Sequence, residues 1–190
     1  RDETVLLVVD VQEKLLPAMF EAERVERGVA LLARCAKLMG IPIFVTEQNP
    51  SRLGKTVESV HRVLEPFAPT EKMRFSACDE ATLHALDLSN RATIVLCGLE
   101  THICVAQTAL DLIENGFTVF VAQDAVSSRY ESDKRAGLER MLGRSQHRQA
   151  GKRPDRGRVA DVRQAIHALR EFRRRAFEQL WRRPLMPLTA

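Results

Sequence analysis

The chain has 190 residues, 45% hydrophobic and 28% charged, proportions that suit one compact domain with a two-sided core and exclude a disordered or fibrous protein. Its longest apolar runs, Val5 to Val9 and Thr93 to Cys97, are strand-sized and far below the ~20 residues a bilayer span needs. The net charge of +4 hides two compositions: residues 1–140 hold 16 basic and 21 acidic side chains, whereas residues 141–190 hold 13 basic and 4 acidic.

In chain order, Thr4 to Val9 is a continuous β-rich run ending in Asp10, and the absence of alternation predicts a strand buried on both faces. From Glu21 to Met39, Val25, Val29, Leu32, Ala36 and Met39 recur at helical spacing before Gly40, where a helix stops readily. Ile41 to Thr46 reads as a second strand, and Glu47 to Lys55, rich in Pro, Gly and polar residues, as a loop. A short helix is predicted over Val57 to Leu64, a brief edge strand over Thr70 to Phe75, and a helix capped by Asp79 running to Leu88. Thr93 to Cys97 is the next buried strand, Gly98 permits a tight turn, a helix spans His102 to Glu114, and Asn115-Gly116 leads into a strand over Phe117 to Val121. Strands alternating with helices predict an α/β fold, a Rossmann-like parallel sheet covered on both faces.

In such a sheet reactive groups gather beyond the carboxyl ends of the strands, and three residues fit that geography. Asp10 ends the first strand, Lys72 stands in Glu71-Lys72-Met73-Arg74-Phe75, and Cys104 opens the helix after Thr93 to Cys97. A sulfur in the first turn of a helix meets free amides and the positive end of the dipole, which favour thiolate. Each residue alone has a bland reading: Cys104 as a small buried hydrophobe, Asp10 as a turn residue, Lys72 as a surface lysine, His102 as solvated. The four cysteines, Cys35, Cys78, Cys97 and Cys104, have no paired metal spacing, and a chain of this size needs no disulfide staples, so a reducing, cytoplasmic setting is expected.

Together these residues resemble a known family. Val8-Val9-Asp10-Val11-Gln12, Glu71-Lys72 followed by Phe75-Ser76-Ala77-Cys78, Gly98-Leu99-Glu100-Thr101-His102-Ile103-Cys104-Val105, and Asp124-Ala125-Val126-Ser127-Ser128-Arg129 are similar to four blocks of the isochorismatase-like cysteine hydrolases. The resemblance covers about residues 4 to 141 and implies a six-stranded parallel sheet in an αβα sandwich. It implies a triad in which Asp10 is general base, Lys72 steadies charge and Cys104 forms a covalent intermediate. The backbone amides of Glu100 and Cys104 become the expected oxyanion donors, and a cis peptide is expected at Leu99-Glu100. Gln12, Gln48 and Phe75 are candidate substrate-binding residues, with ordinary loop or core roles as the alternative. Nicotinamidase relatives carry an Asp and two His residues in the loop after the second strand; Thr46-Glu47-Gln48-Asn49-Pro50 has neither histidine, so no metal and no cofactor are expected. The pattern is closer to isochorismatase domain-containing proteins of undefined substrate, whose relatives commonly form homo-oligomers.

The remainder departs from the family. The resemblance implies a Thr-rich sixth strand and a final helix after Met141, whereas Leu142 to Arg158 shows no strand pattern and reads as a loop, leaving the sixth strand in doubt. Residues 142–190 are therefore set apart from a hydrolase domain of residues 1–141. Val162, Ile166, Leu169, Phe172, Ala176 and Leu180 lie at helical spacing, predicting a basic amphipathic helix. Twelve of the 13 basic residues after Arg140 are arginine, the composition that GC-rich DNA gives when read in another frame. The leading expectation is a hydrolase acting on a C–N or ester bond of a small molecule. The alternative is a non-catalytic oligomeric scaffold of the same fold, with no membrane contact and nucleic acid ranked last because only the tail is basic and aromatics are few.

Overall fold

The computed structural model describes residues 4–88, 92–147 and 157–160. Its centre is the pair β1 (Thr4–Val9) and β4 (Thr93–Leu99), parallel from Thr4 beside Thr93 to Val9 beside Gly98. Both are buried along almost their whole length, as strands covered on two faces must be. Alternation divides their side chains between two cores. Leu6, Val8, Val95, Cys97 and Leu99 face α1 (Ala22–Leu38) and α3 (Glu58–Leu64), whereas Val5, Leu7, Val9, Ile94 and Leu96 face α5 (Ala106–Glu114) and Met141 of α6 (Glu131–His147).

The sheet is completed by β2 (Ile43–Gln48), β3 (Thr70–Lys72), β5 (Thr118–Ser127) and β6 (Gly157–Ala160), in the order β3-β2-β1-β4-β5-β6 with every pairing parallel. This is the αβα sandwich with a Rossmann-like sheet that the alternating pattern predicts. Strand order reverses between β1 and β4, which places the topological switch point where Asp10 and the turn to Cys104 emerge.

Several boundaries differ from the sequence reading. The second strand starts at Ile43 because Pro42, lacking an N–H, enters the sheet only as an acceptor from Leu6 N. It extends to Gln48 because β3 pairs beside Thr46, Glu47 and Gln48. The loop that follows contains a single helical turn, α2 (Pro50–Leu53). The fifth strand runs on to Ser127, since a register shift between Leu96 and Gly98 lets Val126 and Ser127 resume pairing.

The reading of Leu142 to Arg158 as loop is corrected. Helix α6 continues to His147, and β6 pairs with Val119 to Ala122 of β5. The unpaired backbone edge of β5 recruits a four-residue strand through main-chain hydrogen bonds, which need no side-chain pattern and so leave little trace in sequence. The amphipathic pattern from Val162 to Leu180 lies outside the described residues.

Candidate active site

Asp10 follows β1 with φ at 53°, a left-handed conformation that Asp tolerates better than most side chains. Its backbone is pinned by Asp10 N donating to Thr46 O and Gln12 N donating to Asp10 O. The carboxylate is fully buried. It accepts from Thr46 Oγ1 at 2.8 Å and from Lys72 Nζ at 2.6 Å, and its charge acts on the nearby Cys104 thiol. Acid, amine and thiol, from three distant parts of the chain, therefore meet at the switch point.

Lys72 reaches this point from β3, passing the end of β2. Its ammonium has four acceptors within 3.2 Å for three N–H groups: Asp10 Oδ2, Gln48 Oε1 and the carbonyls of Arg74 and Phe75. The segment after β3 thus curls over the lysine. It leaves the Met73 and Phe75 side chains exposed, with Phe75 holding the ammonium through its carbonyl.

Cys104 lies in a π-helical turn, Thr101–Val105, that precedes α5. The turn begins immediately after Gly98 and Leu99. Gly98 has φ at 124°, and a Cβ there would stand 2.0 Å from Val9 O. Only glycine lets β4 come this close to the end of β1. The Leu99-Glu100 peptide, expected cis, is trans, since the cis bond among the described residues is Glu65-Pro66. Gly98 and the wider π turn redirect the chain in its place. From outside, α6 braces the same turn: Arg140 Nη2 donates to His102 O at 2.8 Å, and a Cβ on Gly137 would lie 2.8 Å from His102 Cα.

The expected activation of the thiol is reversed in the resting protein. Burial pushes Cys104 up to about 12, the Asp10 carboxylate adds to this, and Lys72 opposes both without prevailing. The lysine's charge is directed at Asp10, its 2.6 Å partner, so the sulfur keeps its proton. Asp10 is itself raised above the usual carboxylate range by burial, against the pull of Lys72.

Gln12 and Gln48, candidate pocket residues from sequence, are engaged with the protein. Gln12 is fully buried; Nε2 donates to Gln48 O and Gly54 O, and Oε1 accepts from Gln48 N. It is a clamp on the loop after β2 and not a pocket wall. Gln48 binds Lys72 through Oε1 and Met73 O through Nε2, so it orients the amine.

Sequence reasoning missed Thr46, which holds Asp10 from β2, and Glu47, whose Oε1 accepts from both Thr56 N and Thr56 Oγ1 and closes the loop. It also missed the Glu100 side chain. Glu100 meets Arg129 Nε at 3.3 Å and lies 3.6 Å from His102 Nδ1, which is itself 2.9 Å from Ser128 Oγ. A polar residue at an otherwise apolar strand end is the one local signal Thr46 offered. Among the described residues, no cluster of three or more His, Cys, Asp and Glu side chains has the arrangement to hold a metal ion. No helix among them is long and apolar enough to cross a membrane.

Known proteins resemble the chain in sequence and in fold. The profile of the isochorismatase domain matches residues 4–150. A secreted isochorismatase effector, Isc1, of Phytophthora sojae (strain P6497) is 40% identical over 143 residues, covering 73% of this chain and 68% of the relative. Isochorismatase domain-containing protein 2 of Danio rerio is 37% identical over 139 residues, covering 73% and 70%. Among solved structures, the MAR1 ribonuclease from Caenorhabditis elegans aligns with a TM-score of 0.77 at 30% identity, over 100% of this chain and 95% of that one. The YcaC gene product of Escherichia coli, described as an octameric hydrolase of unknown specificity, shares the fold at a TM-score of 0.71 and 20% identity, over 94% and 95%.

Proposed function

The chain belongs to the isochorismatase-like hydrolase family, and on that premise we propose that it cleaves a C–N or ester bond of a small molecule through a covalent intermediate on Cys104. The observation that carries the proposal is the buried Asp10–Lys72 pair, 2.6 Å apart, whose carboxylate charge acts on the Cys104 thiol beside it.

Asp10 takes the thiol proton as the sulfur attacks the substrate carbonyl. The backbone amides of Glu100 and Cys104 meet the developing oxyanion, where each donor contributes about 3 kcal/mol of transition-state stabilisation, while the Lys72 ammonium steadies the charge of the site from its place beside Asp10. Protonated Asp10 then returns the proton to the leaving nitrogen or oxygen. Asp10 next deprotonates the water that attacks the thioester carbonyl, the C–S bond breaks, and the thiol is restored with release of the acid. Phe75 presents its exposed ring to the substrate, and no cofactor takes part in these steps. The proposed setting is cytoplasmic, with the protein assembled as a homo-oligomer.

Screening small amides and esters against wild type, Cys104→Ala and Asp10→Asn tests the mechanism. Both variants are expected to fold and to lose turnover, and retained activity in either removes the proposal. A second reading, a non-catalytic scaffold of the same fold, is favoured by one observation, the 5% exposure of Cys104. It predicts that no compound of the panel forms a mass adduct at Cys104. RNA is not the proposed substrate despite the name of one structural neighbour, and RNA cleavage lost in Cys104→Ala would overturn that choice.

A further inference from the structure

Two buried side-chain polar atoms lack a hydrogen-bond partner among the described residues, and both are on the nucleophile turn: Glu100 Oε2 and Thr101 Oγ1. Buried polar atoms are almost always paired, so an unpaired one calls for a ligand or a functional reason. The Glu100 side chain is only 10% exposed. Its backbone is fixed, since Glu100 O accepts from both Ile103 N and Val105 N. Its Oε1 accepts from Arg129 Nε, while Oε2 lies 3.6 Å from His102 Nδ1, a nitrogen already at 2.9 Å from Ser128 Oγ. Glu100 is the extended residue that caps the turn carrying Cys104, so its carboxylate and the sulfur belong to one short segment. The carboxylate also acts on the sulfur directly, adding to the forces that hold its proton.

The other polar groups of the site have no such spare acceptor. The Asp10 carboxylate receives Thr46 on Oδ1 and Lys72 on Oδ2, and Lys72 has more acceptors than protons. We propose that Glu100 Oε2 reads an N–H of the substrate's carboxamide while the neighbouring Thr101 hydroxyl donates to an oxygen, so that the site selects amides over esters of the same acyl group. The inference rests on the hydrolase reading and narrows it, because an ester offers an acceptor where the carboxylate requires a donor.

Two electrophiles of matched size separate the possibilities without knowledge of the natural substrate. Acrylamide and methyl acrylate both add to a thiol: sulfur bonds to the β-carbon, the alkene electron pair moves to the α-carbon, and that carbon takes up the proton the thiol loses. Adduct formation at Cys104 is followed by intact mass and peptide mapping, with Cys104→Ala as the blank. Each rate is divided by the rate of the same reagent with N-acetylcysteine. Wild type is expected to favour acrylamide on this scale. In Glu100→Gln, Arg129 keeps the amide oxygen on its side and the NH2 replaces Oε2, so donor faces donor. The acrylamide preference, read as the ratio of the two normalised rates, then falls roughly 10- to 100-fold, the worth of a hydrogen bond to a charged group. Glu100→Leu, which removes the acceptor without adding a donor, should lose the preference too, and circular dichroism checks both folds. A preference unchanged in both variants, or both reagents slowed alike, overturns the inference and leaves Glu100 as a brace of the turn. Labelling of wild-type Cys104 by neither reagent defeats the nucleophile reading itself and this inference with it.

Discussion

Replacing Lys72 with Met removes the cation from a buried pair. The Lys72 side chain is 3% exposed and its Asp10 partner 0%, at 2.6 Å. Breaking such a pair from one side costs about 3–5 kcal/mol, because the remaining charge stays desolvated. For a chain of this size that is roughly 6–20 °C in Tm. The penalty depends on pH with a definite sign. Burial already raises Asp10 above 3.8, and Lys72 is its principal counterweight; in Lys72→Met the folded-state value rises further. A carboxyl raised on folding contributes stability that is full below its unfolded value, about 3.9, and is lost as pH climbs through the folded value. The gap between wild type and variant therefore widens from acid to neutral pH. Urea denaturation of both proteins at pH 4.5 and 7.5 measures it. The double variant Asp10→Asn/Lys72→Met should recover most of the loss, since removing both charges leaves nothing stranded. A Lys72→Met penalty under about 1 kcal/mol at pH 7.5, or one that does not shrink in acid, would show that the pair is solvated and the reasoning wrong.

Three further outcomes follow from the same geometry. The acid limb of kcat/KM, set by ionisation of Asp10, should lie above the ordinary carboxylate value and move up in Lys72→Met where activity survives; with Cys104 held near 12, no limb from the thiol should appear near neutrality. Gly98→Ala places a Cβ 2.0 Å from Val9 O at φ 124°, so it should destabilise by roughly 3 kcal/mol or more in thermal unfolding. Gln12→Leu strands Gln48 N, Gln48 O and Gly54 O at about 1–3 kcal/mol for each group left unsatisfied. Amide exchange should then accelerate across residues 48–57, and kcat should fall because Gln48 no longer holds Lys72.

Sequence patterns located the parts of the fold whose formation depends on side chains. The apolar run ending at Val9, the run after Thr93 and the 17-residue helix α1 all stand out because burial on both faces, or on one face at a fixed period, constrains every residue. Strand β6 is built from Gly, Arg, Val and Ala and is held by its backbone, so no side-chain pattern marks it. The candidate site was legible unevenly. Asp10, Lys72 and Cys104 were singled out through resemblance to a family; nothing in spacings of 62 and 32 residues brings them together. For Gln12 and Gln48 the sequence left a pocket role and a loop role open, because whether an amide meets a loop carbonyl depends on a partner 36 residues away. Thr46 lies within β2 and Glu100 directly follows β4. Only the tertiary arrangement reveals that one holds Asp10 and that one carboxylate oxygen of the other lacks a donor.

The state of the thiol shows why local rules mislead here. A cysteine in the first turn of a helix with a lysine nearby suggests a resting thiolate, yet that state would add a negative charge beside a buried carboxylate, where the dielectric is low. With Asp10 ionised, Lys72 charged and Cys104 protonated, the three side chains sum to zero. Transfer of the thiol proton to Asp10 keeps that sum at zero and moves the negative charge from oxygen to sulfur, with the Lys72 ammonium balancing it before and after. The energetic demand is thus one of relocating a charge inside the site and not of creating one, so a thiol pushed up to about 12 by burial is compatible with the proposed nucleophile and with Asp10 beside it as base. Asp10→Asn removes the acceptor while preserving shape and the left-handed backbone. In that variant the sulfur has nowhere to send its proton, and the loss should appear in kcat, with KM little changed.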